Sequence, residues 1–138
     1  MKNIRKIIFK IIALLVLTIW IVGISVNIWQ KTKVSEGINS LKNKDYIVAE
    51  QLFRKSQINN LEAKYSYYGN IGLAILAIRS NDNRSFDKYS KKIQDNEKAN
   101  GDYILRILKK YKEKENIKNN ENILDSLEKE ILSTLIEK

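Results

Sequence analysis

The sequence predicts an all-α protein: an N-terminal transmembrane helix followed by about three antiparallel helix pairs. Three observations carry this. Ile11–Val26 is a run of sixteen residues without a charge, an amide or a proline. The 138 residues include no proline and only five glycines, so little interrupts a helix. After the run, apolar residues recur at helical spacing, and no stretch alternates with period two for long enough to make a sheet.

With Ile7-Ile8-Phe9 before Lys10 and Ile28-Trp29 after Asn27, the apolar segment spans the 23 residues 7–29. At about 1.5 Å per residue it covers roughly 34 Å, enough to cross a hydrocarbon core of about 30 Å. Eleven of its sixteen central residues are Ile, Leu or Val. Together they contribute on the order of −3 to −7 kcal/mol to insertion. The chain thus divides into a basic flank and lipid-bilayer anchor, residues 1–29, and a helical domain, residues 30–138. A secretory signal starts in a similar way, and Gly23-Ile24-Ser25 offers small residues where a peptidase cuts. The apolar core runs past that point, and Trp29 stands where an interfacial aromatic belongs, so an uncleaved anchor is expected. Lys2, Arg5, Lys6 and Lys10 precede the core, against Lys31 and Lys33 after it. That bias places the N-terminus in the cytoplasm and the C-terminal domain outside it.

Beyond residue 29 the formal charge is +5, and Lys, Ile and Asn supply 57 of the 138 residues, so a generic basic surface accounts for the excess. The charges alternate in sign, as in Lys112-Glu113-Lys114-Glu115, and form no stripe of the kind phosphate backbones need. No nucleic-acid partner is expected; a weak attraction to anionic lipid headgroups beside the anchor is. The absence of Cys removes disulfides and thiolate metal sites, and the absence of His removes the commonest general base and metal ligand. Glu50, Glu62 and Asp87 sit among lysines at helix-surface spacing, and no Gly-rich loop or nucleophile–base pair is present. Neither enzymatic activity nor a cofactor or metal is expected.

Along the chain, nothing but Gly37 interrupts a helix between Ile24 and Leu41, so the anchor is expected to run on into the first helix of the domain. Asn43-Lys44-Asp45 reads as a turn, with Asp45 as N-cap. A second helix, about 46–58, turns Ala49, Leu52, Phe53 and Ser56 inward. Asn59-Asn60 turns the chain into a third helix, 61–79, the most apolar after the anchor. Ser80–Asn83 is the next turn, and a fourth helix, 84–95, places Phe86, Tyr89 and Ile93 on one face. After a polar loop at 96–101, Asp102 caps a fifth helix, 103–115, with Ile104, Ile107, Leu108 and Tyr111 inward. A sixth, 121–137, carries the seam Leu124, Leu127, Ile131 and Leu135.

A shift of 37 residues aligns Gly37 with Ala74, Asp45 with Asp82, Ala49 with Phe86 and Leu52 with Tyr89. The stretch from Lys44-Asp45-Tyr46 through Ala49 and Phe53 to Ser56, with Gly37 twelve residues before Ala49, resembles the tetratricopeptide repeat. Small residues let paired helices approach, and the aromatic fills the gap between pairs. The match is good over 34–58, partial over 61–93, where Phe86 replaces the expected Ala, and weak beyond. The family's terminal Pro is absent throughout. An ordinary helical hairpin bundle is the other reading of the same spacing.

The resemblance implies a concave, protein-binding face made of the first helices of successive pairs: Val34, Ile38 and Leu41, then Tyr68, Ile71, Ile75 and Ile78. Either the third helix pair folds over this face and buries it, or it stays open for an apolar helix or strand. Of the tyrosine cluster, Tyr65 and Tyr68 share a helix face and Tyr67 points elsewhere. The resemblance implies a membrane-anchored scaffold or accessory subunit of an envelope complex for secretion, assembly or division. A second reading makes the anchor the assembly element, packing against another transmembrane helix through Thr18, Gly23 and Ser25.

Overall fold

The computed structural model describes residues 2–57, 63–95 and 101–115, together with Asp125, Glu128, Lys129 and Ser133. The described residues are helical and include no strand. The helices are α1 (Lys2–Lys42), α2 (Tyr46–Lys55), α3 (Ala63–Arg79), α4 (Asn83–Asp95) and α5 (Gly101–Glu115). The sixth expected helix lies outside the described residues, except that Asp125, Glu128, Lys129 and Ser133 are helical.

The apolar segment does run on into the first helix that packs in the core. α1 is one unbroken helix of 41 residues, about 60 Å long. From Ile4 to Ser25 every residue is exposed, and the helix is long and apolar enough to cross a membrane. From Gln30 onward one stripe is covered: Gln30, Val34, Gly37, Ile38 and Leu41 are buried. The same helix is therefore lipid-compatible below and a core element above.

The α1–α2 and α3–α4 turns are built alike. Lys44 (φ 62°) and Asn81 (φ 55°) take the left-handed conformation that ends a helix. The N–H of Lys44 donates to the Leu41 carbonyl and that of Asp45 to the Ser40 carbonyl; Asn81 N–H donates to Ile78, and Asp82 N–H to Ala77. Each Asp then caps the next helix, accepting from the N–H of Val48 or Ser85. Every one of these pairs is separated by 37 residues. Neither left-handed residue is a glycine, so the turns are held by their hydrogen bonds rather than by backbone freedom.

α3 is the centre of the domain. Its residues from Gly69 to Ile78 are all buried, which explains why it reads as apolar around its whole circumference. α1, α2, α4 and α5 all pack against it. Phe53 of α2, 1% exposed, fills the space where α1, α2 and α3 meet. A Cβ on Gly37 would lie 2.7 Å from its ring, and one on Gly72 2.5 Å from its Cζ. Glycines at these two positions are what allow the three helices to close around one phenyl ring. Phe86, Tyr89 and Ile93 of α4, and Ile104, Ile107, Leu108 and Tyr111 of α5, are buried as their spacing predicts.

α4 begins at Asn83, one residue earlier than expected, and two further boundaries differ. α2 stops at Lys55, because the Ser56 side chain turns back to the Phe53 carbonyl (2.7 Å) and its backbone oxygen accepts from Gln30 Nε2 (3.2 Å). α5 begins at Gly101, so Asp102 lies inside its first turn instead of capping it.

Candidate functional site

Six of the seven residues expected to line a concave binding face lie in the chain's own core: Val34, Ile38, Leu41, Ile71, Ile75 and Ile78 are each 8% exposed or less. Tyr68 is partly buried against the same cluster, as are Tyr65 and Tyr67. Of the two alternatives open from the sequence, burial is the one this conformation adopts. The physical cause is that α1 and α3 lie side by side with α5 against α3, while Asp125 and Glu128 reach back to the end of α3. There is no open groove at these six residues.

Asp125 and Glu128 are held to the end of α3 by charge. Arg79, the last residue of α3, donates through Nε to Glu128 (2.8 Å) and through a terminal nitrogen to Asp125 (3.3 Å) and again to Glu128. Its guanidinium also lies over the Tyr46 ring, 5.0 Å from the centroid. Tyr111 donates to Glu128 (3.4 Å), and Lys44 lies 3.6 Å from Asp125. Burial alone pulls the Arg79 pKa down, but the hydrogen bond to Glu128 and the nearby charges more than offset it and hold it above the usual value. Burial raises the Tyr46 hydroxyl. Glu128 is only 6% exposed, so this is a desolvated ion pair that ties the C-terminal segment to α3 and, through Tyr46 and Lys44, to the α1–α2 turn.

An open surface does exist, on the other side of α3. Leu73, Leu76 and Ala77 floor a groove of about 410 Å³ between α2 and α4. Tyr46, Ile47, Glu50 and Arg54 form one wall, and Asp82, Ser85 and Tyr89 the other. Ile47 is 74% exposed and Val48 40%. The Glu50–Arg54 pair, 2.7 Å apart, spans one turn of the α2 wall, and the Glu50 hydrogen bond holds Arg54 above its usual pKa. This groove was missed from the sequence. The available signal was Ile47, an apolar residue outside the Ala49–Phe53 stripe.

In the anchor, Thr18 and Ser25 are seven residues apart and share one stripe, while Gly23 lies roughly 140–160° around the helix. Gly23 thus lies on a different face of α1 from Thr18 and Ser25. Both hydroxyls donate to their own helix, Thr18 to the carbonyls of Leu14 and Leu15 and Ser25 to that of Ile21. Gly23 instead sits in a shallow notch with Trp20, Ile24 and Asn27, and nothing lies within 4 Å of the position its Cβ would take. Gly23 and Gln30, seven residues apart, are on the same stripe, so the notch continues the face that the domain covers higher up.

Among the described residues no three His, Cys, Asp or Glu side chains come together as a metal site would require. No family model matches the chain, and no curated protein or solved structure is significantly similar to it.

Proposed function

We propose that this chain is a single-pass membrane protein, without catalytic activity, whose helical domain binds a partner protein at the membrane surface, as a scaffold or accessory subunit of an envelope complex. The observation that carries the reading is the continuity of α1 from the apolar span to Leu41. A domain on a flexible tether samples many positions. Here the helix that carries the span continues into the core from Gln30 to Leu41, so the groove between α2 and α4 is held at one height and orientation over the bilayer. Continuity also supports an uncleaved anchor, because cutting near Ser25 would leave Gln30 barely a turn from a new end.

A tetratricopeptide-like arrangement is supported by the order of packing. The main contacts join each helix to the next, and α3 also to α1 and α5, as in a stacked array of pairs. The two 37-residue-related turns, and Phe53 filling the space between Gly37 and Gly72, support it further. The N-terminal basic residues favour a cytoplasmic N-terminus and an extracytoplasmic domain.

Two measurements test the proposal. An export-dependent reporter fused after Lys138 should be active and a cytoplasm-dependent one silent; the reverse overturns the orientation. In a pull-down of full-length protein from native membranes, Ile47→Glu should remove at least one partner while the melting temperature holds, since Ile47 supports no core contact. Unchanged partners in that variant would remove the groove from consideration.

The Gly23 notch favours a second reading, in which the anchor itself packs against another transmembrane helix. Gly23→Ile fills the notch without touching the domain. Loss of the complex with this variant, and its retention with Ile47→Glu, selects that reading.

A further inference from the structure

The helix ends on the bilayer side of the domain set its height over the membrane. Gln30 directly follows Trp29, the last residue of the apolar span, and donates to the Ser56 carbonyl at the end of α2. Gln57 in turn donates to Asn70 of α3 (2.7 Å), and a Cβ on Gly69 would lie 2.5 Å from Ser56 Oγ. The end of α2 and the Gly69–Asn70 level of α3 therefore stand level with Gln30, at the end of the apolar span. α3 continues past that level for six more residues, down to Ala63. That is about 10 Å, comparable with a headgroup layer of roughly 5–8 Å. α4 runs back toward the same end, and only five residues separate it from α5.

The side chains at this end suit a headgroup layer. Trp29 is 37% exposed and Tyr103, at the start of α5, 50%; Tyr65, in the first turns of α3, is partly buried. Tyrosine and tryptophan are the residues that settle at membrane–water boundaries. Lys31 lies just above the span, Lys55 ends α2, and Lys91 and Lys92 stand in the last turns of α4. All four are exposed and form no ion pair among the described residues, where Asp95 is the exposed carboxylate at the end of α4. Farther up, Lys33 pairs with Glu36, Lys44 with Asp125, and Lys112 lies over the Phe86 ring, while Lys42, Lys109 and Lys110 are exposed at a distance from the bilayer.

We propose that the bilayer-facing end of the helical domain is itself a lipid-headgroup-binding surface, with Trp29, Tyr65 and Tyr103 in the boundary layer and Lys31, Lys55, Lys91 and Lys92 on anionic headgroups. The domain thus rests on the membrane in addition to hanging from it. This rests on α1 spanning a bilayer, and the experiment separates the two. Full-length protein is placed in nanodiscs of phosphatidylcholine alone or with a quarter of phosphatidylglycerol. The acylation rate of each lysine is then read by mass spectrometry. At low salt, Lys31, Lys55, Lys91 and Lys92 react on the order of fivefold more slowly in the anionic discs, while Lys42 and Lys110 are unchanged. Replacing Lys55, Lys91 and Lys92 with Gln returns Lys31 toward its rate in phosphatidylcholine. Equal rates at all four lysines in the two lipids overturn the proposal. Failure of the chain to stay in either disc is a different result, and it overturns the membrane span.

Discussion

The ring of Phe53 on α2 lies directly on Gly72 of the next helix, α3, with Gly37 of α1 closing on its opposite edge. Pinned from both sides, the ring cannot swing aside to admit a methyl group. Gly72→Ala gains about 1 kcal/mol of helix propensity but overpacks a full site, which costs about 1–3 kcal/mol. We expect a net loss of roughly 1 kcal/mol by urea denaturation of the detergent-solubilised protein. In a Phe53→Leu background the alanine should be neutral or favourable, because the clashing atoms are gone. A Gly72→Ala protein more stable than the parent would show that the ring has somewhere to go.

Ile75 is fully buried at the centre of α3. Ile75→Lys places an ammonium with no partner in the core and should unfold the domain, taking partner binding with it. Circular dichroism and co-purification should fail together. Near-normal melting in this variant would mean that the α1–α3 face opens readily, and would restore it as a docking surface.

Arg79→Gln leaves Glu128 buried without its cation. The expected cost is about 3 kcal/mol, at the low end for such a pair because the guanidinium keeps some contact with water. Glu128→Gln should cost less, since Gln still accepts from Arg79. Protection of the C-terminal segment from proteases should fall in the same order. Equal protease sensitivity in both variants and the parent would show that the segment is held by something else.

The Asp82 carboxyl is held below its ordinary pKa, first by its hydrogen bonds to Ser85. Its folded-state value is thus lower than its unfolded one, so its contribution is complete above the unfolded value. It is lost as pH falls through the folded one. The melting-temperature difference between parent and Asp82→Ala should be constant from neutrality to about pH 5 and should narrow below about pH 4. A difference that grows on acidification contradicts this assignment.

How much was legible in the sequence follows from the range of each signal. The anchor, the five described helices, the Asp45 cap and the inward positions of α2, α4 and α5 are written in neighbours three, four or seven residues apart. Such spacing is set inside one helix. Gly37, Ala49, Phe53 and Ser56 were recognisable together because their spacing follows a known packing pattern. The fate of Val34, Ile38, Leu41, Ile71, Ile75 and Ile78 was not legible. An apolar stripe looks the same whether another helix or a partner covers it.

By itself, then, the sequence determined that an apolar helix begins the chain, that helices follow, and where the first turns fall, because these depend on local hydropathy and capping. The tertiary structure alone decided that α3 is buried from Gly69 to Ile78 and that Gly72 meets Phe53. It also decided that Arg79 holds Glu128 and that the open groove lies between α2 and α4 rather than along α1 and α3. Each of these joins residues up to 49 positions apart. Burial depends on which surfaces exclude water from one another, and that is a property of the assembled helices rather than of any one of them.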